Sequence, residues 1–422
     1  MKKIKFSIVF AAVLAIFSLV FCACPALEED SYGFILKYEG PLDMYKWFKI
    51  LDEVAADGRY VTLDLKDCTY VEDNQFAGLI KVEIDDGTLL IAEEYIAFDT
   101  FPAIRFGKDR IKSIILPDAA QMVNMGVEIP ETDDEDEDEE DEEEKDKFDA
   151  NFRHFVNLRS VSGANVSRIG NYAFINCTSI KEINFPRVGH TVSDAELTDP
   201  NNEMINGFRI DIGHFAFKGC TGLTEVKFNS AAVIGRSAFK GCANLSKVNF
   251  PVVWMIAQNA FEGCKNLTEI RFESATKIGN EAFKDCTKLK KAYFDANPTS
   301  SAGDPIPGGV PVYNSVIFYD AAFSGCKSLQ MLDIRPAWNV FFCIDVLENT
   351  GKTIDIYLHD ASSGEGHPQV SEFLGSGDKV TLEEINIYVP MSPSSSNVES
   401  GIKSFIVDNY PDVEVAIRQT SI

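Results

Sequence analysis

Two alternating rhythms of apolar residues run along the chain. Stretches of period two, such as Leu223-Thr-Glu-Val226-Lys-Phe228, place Val226 and Phe228 on one side of a strand and Lys227 on the other. Each leads into a segment with a fixed apolar skeleton, Ile234-Gly235…Ala238-Phe239…Cys242…Leu245, and then into the next period-two stretch, Val248-Asn249-Phe250. The skeleton aligns without gaps from Ile169 to Phe185, Ile212 to Phe228, Ile256 to Phe272 and Ile278 to Phe294, and a further copy runs from Phe318 to Ile334. The cysteines step by 22 residues from Cys220 through Cys242 and Cys264 to Cys286. So strict a rhythm means stacked coils. One coil cannot bury both of its sides, so neighbours share a continuous core, and their strands are expected to pair as a parallel sheet.

Weaker copies extend the rhythm upstream. Asn151-Phe152…Phe155…Leu158…Val161 keeps the spacing with Phe155 in the cysteine position and Lys147 in the isoleucine position. Ile111…Ile114-Ile115-Leu116-Pro117 matches Leu245…Val248-Asn249-Phe250-Pro251, and Tyr60…Leu63-Asp64-Leu65 opens the series. The repeat is therefore assigned to residues 59–335. Before it, Leu42, Met44, Trp47, Phe48, Leu51, Val54 and Ala55 fall at helical spacing between Pro41 and Gly58. That predicts a helix over 40–58, which would shield the open end of the core, so residues 24–58 read as a tether and capping helix. Beyond the repeat, residues 336–422 show strand patterns at Thr353–Leu358, Ile385–Val389 and Val413–Ile417 and a helical one at Val398–Asn409. They read as a C-terminal α+β cap or as a small separate domain. Three insertions interrupt the spacing, over about residues 118–147, 189–209 and 295–315, and all three read as lying between strand and return segment.

Charge alters this picture in one place. The chain has 39 Lys and Arg against 65 Asp and Glu, a formal net charge of −26, and Asp133–Glu144 is an unbroken run of acids. Such a balance argues against nucleic acid as a partner. The acidic run reads as a solvated loop, or as a place for a basic partner or loosely held Ca²⁺, although no EF-hand spacing is present. The N-terminus has its own pattern: Lys2, Lys3 and Lys5 precede an apolar run from Phe6 to Phe21, followed by Cys22-Ala23-Cys24. This reads as an export signal over residues 1–23, too short for a membrane span. Its end resembles a bacterial lipobox, with Cys24 the residue that would be lipidated and hold the chain at a membrane; ordinary cleavage and an uncleaved anchor are the alternatives.

Catalytic chemistry is hard to find. No G-x-S-x-G, HExxH, P-loop or dinucleotide fingerprint occurs, and His154, His190, His214, His359 and His367 form no motif with a nucleophile. Neither an enzyme, a cofactor nor a bound metal is expected. The cysteine column reads as buried packing, with disulfides between neighbouring coils as the alternative; without a CxxC pair, structural zinc is not expected. The outward strand positions are Asn184, Lys227, Asn249, Arg271, Tyr293 and Asp333, with Glu182, Glu225, Lys247, Glu269, Lys291 and Met331 beside them. They form either a solvated sheet face or a protein-binding surface. Arg271 and Tyr293 are of the types enriched at binding hot spots.

The I-G-x-x-A-F-x-x-C segment with its preceding strand resembles the leucine-rich repeats of the BspA type, also called the Treponema pallidum type. The resemblance implies an α/β repeat solenoid, a right-handed superhelix with a parallel β-sheet on its concave face. It also implies a secreted or surface protein, often one that adheres to host proteins or other cells. The expected function is that of a bacterial cell-surface lipoprotein, at the outer membrane or cell surface. Its protein ligand would be a host matrix protein or another cell's surface protein. The alternative is a structural envelope lipoprotein with no host ligand.

Overall fold

The structure, a computed structural model, describes residues 34–42, 44–70, 81–83, 89–91, 108–120, 122–123, 155–189, 204–205, 208–295, 315–335, 339–358, 369–370, 374, 380–390, 408 and 410–420. The segment read as an export signal with Cys24, the acidic run and most of the segment read as a C-terminal helix lie outside the described residues.

Thirteen strands of one ladder run along the molecule in sequence order. They are β1 (Phe34–Leu42), β2 (Val61–Tyr70), β3 (Ile111–Ile115), β4 (Ser160–Ser162), β5 (Glu182–Asn184), β6 (Glu225–Lys227), β7 (Lys247–Asn249), β8 (Glu269–Phe272), β9 (Lys291–Phe294), β10 (Met331–Asp333), β11 (Thr353–Tyr357), β12 (Glu384–Pro390) and β13 (Glu414–Thr420). All pairings in this ladder are parallel, and they group as β1–β5, β6–β7 and β8–β13. The strands are short because each coil offers only one period-two stretch. Val226 pairs with Val248, and Ile270 with Ala292, at the 22-residue spacing of the repeat.

A second parallel ladder, not foreseen from the sequence, forms where the return segment starts. Val233–Ile234, Met255–Ile256, Lys277–Ile278, Ser315–Phe318, Asn339–Phe342 and Gln369–Val370 pair in that order. One continuous hydrophobic cluster lies inside the coils and reaches from Leu42 to Val413. Its spine is a stack of phenylalanines: Phe174, Phe217, Phe239, Phe261, Phe283 and Phe323 lie face to face with ring centroids 5.1, 5.1, 5.2, 5.3 and 5.4 Å apart.

The return segment reverses the chain by taking up left-handed backbone twice per coil. One such position is just before the alanine, where Ser237, Asn259 and Glu281 have φ of 53°, 55° and 55°. The other is just before the cysteine, where Gly219, Gly241, Gly263 and Gly325 stand, replaced by Asn176 and Asp285 in two coils. The glycine after the isoleucine has a different cause. A Cβ on Gly279 would lie 2.6 Å from the backbone nitrogen of Gln258 in the coil before it, so backbone-to-backbone contact excludes a side chain.

Three readings of the sequence are corrected. First, the ladder does not end at residue 335. Leu332 pairs with Ile356, Ile356 with Ile387 and Ile387 with Ile417, so strands assigned to a C-terminal cap are further rungs of the same sheet. A seventh return segment connects them. Phe323 N donates to Val346 O just as Phe283 N donates to Ala322 O, and Asp345 and Asn349 repeat the two left-handed positions. Val346, Leu347 and Thr350 stand where Ala, Phe and Cys stand elsewhere, all buried, so the packing is kept while the motif is lost.

Second, the strand ladder begins earlier than residue 59. The stretch read as a tether contains β1, paired with β2 from Phe34↔Val61 onward. The predicted helix is present as α1 (Met44–Asp57), connecting β1 to β2 and contributing Ile50, Leu51 and Val54 to the core. Third, the acidic insertion does not share the slot of the other two. Val123, not Lys147, occupies the isoleucine position: it pairs with Ile169, and Ala120 before it is buried. The insertion therefore falls within the return segment, between Val123 and Phe155. The other two do leave between the ladders, and the first contains an antiparallel pair, Met204–Ile205 with Phe208–Arg209.

Candidate functional site

Strand alternation turns every second side chain of the first ladder away from the core, and parallel in-register pairing lines these side chains up in rows. Across β8–β13 one row reads Arg271, Tyr293, Asp333, Tyr357, Tyr388, Arg418. The row beside it reads Glu269, Lys291, Met331, Asp355, Asn386, Ala416. The first is an arginine–tyrosine row whose members hold one another. The Arg271 guanidinium lies 4.4 Å from the Tyr293 ring centre and 3.0 Å from Asp295 Oδ2. Arg335 donates to both oxygens of Asp333, at 2.9 and 2.6 Å, and lies 5.3 Å from the Tyr357 ring. Tyr357 and Tyr388 stack with centroids 4.3 Å apart, and Arg418 Nε donates to Asn386 Oδ1 at 2.9 Å. Asn386 in turn donates to Asp355 Oδ1 at 3.1 Å.

The Arg271, Arg335 and Arg418 side chains keep just over half of their surface in solvent. They are thus fixed in direction yet open on one side. Burial, and then the nearby Asp355 carboxylate, push the Tyr357 phenol above its ordinary range. Guanidinium groups held near tyrosine rings and steered by carboxylates and an amide suit this row to recognise a protein surface, because ordering these side chains on binding costs little.

The sequence-predicted face divides at this point. Glu225 and Lys247 sit opposite each other with 3.8 Å between charged atoms, both well exposed, and Lys227 pairs in register with Asn249. Glu182 and Asn184 also face solvent on β5. This half is polar and carries no aromatic. Asp333 was read as an outward position; it is in the row but only 5% exposed, closed over by Arg335. The group available there is the arginine, not the aspartate.

Inside the coil the cysteine column is a set of hydrogen-bonded thiols. Cys220, Cys242, Cys264, Cys286 and Cys326 each donate Sγ–H to the carbonyl of the phenylalanine one coil back (Phe174, Phe217, Phe239, Phe261 and Phe283) at 3.0–3.2 Å. All cysteines among the described residues are free, so the packing role holds and the disulfide alternative does not. Burial pushes the Cys242 thiol up to about 12.

Residues 149–206 and 203–303 match, in six copies, the family model described as the BspA type leucine rich repeat region. Over this stretch the chain is similar to BspA-type leucine-rich repeats. No curated protein matches the chain. A BspA-type repeat over this stretch suggests a protein-interaction repeat protein, since leucine-rich repeats generally mediate protein–protein contacts. Its strands β5–β9 present Glu182 to Tyr293, the residues that sequence reasoning assigned to the face apart from Met331 and Asp333 on β10. Arg335, Tyr357, Tyr388 and Arg418 were missed because they follow the last recognisable copy. A signal for two of them was present: Ile354-Asp-Ile356-Tyr357 and Ile385-Asn-Ile387-Tyr388 alternate as Ala292-Tyr293-Phe294 does, with tyrosine outward.

Proposed function

We propose that this is an exported surface protein, anchored by a lipid on Cys24, whose BspA-type repeat binds a protein on a host matrix or on another cell. The observation that carries the binding part is the arginine–tyrosine row from Arg271 to Arg418, a run of residue types that concentrate binding energy, already held in place. The signal-like N-terminus and its Cys24 support the anchored, exported part. Lys247 and its neighbours form the polar margin of the surface, where charges steer encounter more than they hold the complex.

The test is a binding screen of the purified chain against immobilised extracellular-matrix proteins and intact partner cells. Arg271→Glu combined with Tyr357→Ala should weaken capture at least tenfold without lowering the unfolding midpoint, and Lys247→Glu should chiefly slow association. Capture unchanged in the double variant would remove the row from the interface. No capture at all, together with protection from protease on intact cells, would favour the structural envelope reading. Loss of fatty-acid labelling in Cys24→Ala tests the anchor separately.

A further inference from the structure

Strand β13 is the last of its sheet. It pairs with β12 from Glu384↔Glu414 to Pro390↔Thr420, and among the described residues no strand lies on its other side. It is seven residues long and contains no proline, and its core-facing Val415 and Ile417 are only partly buried. An edge of this kind is a template for another strand.

Its hydrogen-bonding direction is fixed. Glu414 N donates to Glu383 O at 2.8 Å, so the backbone groups of Glu414, Ala416 and Arg418 face β12 while those of Val415 and Ile417 face the open side. Its charges are also incomplete. Glu414 and Glu384 are register partners, two carboxylates side by side. Arg418 reaches Glu384 only at 4.0 Å while giving its Nε to Asn386. A second guanidinium from outside would balance the pair.

The sequence Glu414-Val415-Ala416-Ile417-Arg418 reads as its own complement when reversed. The geometry points to a twofold dimer in which β13 of one copy runs antiparallel to β13 of a second copy, with Ala416 at the axis. Val415 then lies opposite Ile417 of the second copy in a hydrogen-bonded pair, made by the very groups that face outward, and the two aliphatic side chains cover each other. Glu414 lies opposite Arg418 of the second copy, twice, at non-hydrogen-bonded sites where side chains approach most closely. A shift of one residue would put Ile417 on the axis and lose both ion pairs. Head-to-tail growth onto β1 is disfavoured, because continuing the outward row through Asp64 to Lys37 would set Lys37 beside Arg418. A closed, self-complementary contact results rather than a filament.

Sedimentation velocity of the purified chain over a wide concentration range tests this. The unaltered chain should show a monomer–dimer equilibrium. Glu414→Arg and Arg418→Glu should each weaken dimerisation about tenfold or more, because each turns two attractions into two repulsions. The double exchange Glu414→Arg with Arg418→Glu should restore it. Circular dichroism melting of each variant checks that the fold is kept, and Ile417→Pro, which removes an N–H of the open edge, should abolish the dimer. A chain that stays monomeric throughout overturns the proposal. So does a dimer indifferent to the single exchanges, or one that the double exchange fails to restore.

Discussion

The middle coils and the terminal coils share one backbone ladder but are filled differently. From Ile212 to Phe294 every coil adds the same phenylalanine to a face-to-face stack and the same thiol to a carbonyl. Toward the C-terminus Val346, Leu347 and Thr350 take those places, with Thr350 Oγ1 turned to its own coil's Leu347 O at 2.8 Å. At the N-terminus α1 replaces the turn-built return segment altogether. Parallel strand pairing recurs in every one of these regions, in three consecutive sheets. The ladder therefore depends on shape and apolar volume in each coil, and the conserved-looking motif is one way of supplying them.

The contrast is sharpest in alkaline solution. Below about pH 9 the ladder thiols are protonated whether the chain is folded or not. Above it the unfolded chain releases thiol protons first, because burial holds the native thiols higher, as at Cys242 with its value of about 12. Stability of the middle coils should thus be complete below about pH 9 and fall as pH rises toward 12, by about 1.4 kcal/mol per pH unit for each ladder thiol. Alkaline unfolding followed by circular dichroism reads this slope, and Cys242→Ala should flatten it. An unchanged slope would show that the thiols are not buried as described.

The next largest effect separates the two fillings directly. Phe239→Ala opens a cavity within the stack and should cost about 3–5 kcal/mol in denaturant unfolding, against about 2–4 for Leu347→Ala in the terminal region. Equal costs would mean that ring stacking adds nothing beyond volume. Gly279→Ala, which forces a Cβ against the neighbouring backbone, should cost about 1–3 kcal/mol by the same measurement. The smallest change has the opposite sign. Ala321 holds φ at 53°, so Ala321→Gly should relieve strain and raise stability by up to about 1 kcal/mol. A loss there instead would mean that the added freedom of the unfolded chain outweighs the relief.

The parts of the fold that could be read from the sequence were those where spacing and residue type both recur. Ile169 through Phe294 gave the strands, the inward phenylalanines and the outward Glu182 to Tyr293 at once. The second ladder escaped notice because two-residue strands such as Val233–Ile234 show no alternation of their own. Strand β1 was overlooked although Phe34-Ile-Leu-Lys-Tyr-Glu alternates in part, since it precedes a helix rather than another copy. Lys147 was placed in the isoleucine position by counting back from Phe155, which a long insertion inside the return segment defeats. The richest part of the face lay beyond residue 335, where Val, Leu and Thr fill the core and the cysteine count stops.

Near-identity of the middle coils has one more consequence. Phe239, Phe261 and Phe283 occupy equivalent places in the same stack, and the cysteines that follow them bond to equivalent carbonyls. A whole coil can then be excised or copied here with both neighbours finding the surface they had before. The molecule can change in length by cassette, and the distance between its polar and its aromatic halves is open to selection without redesign of either.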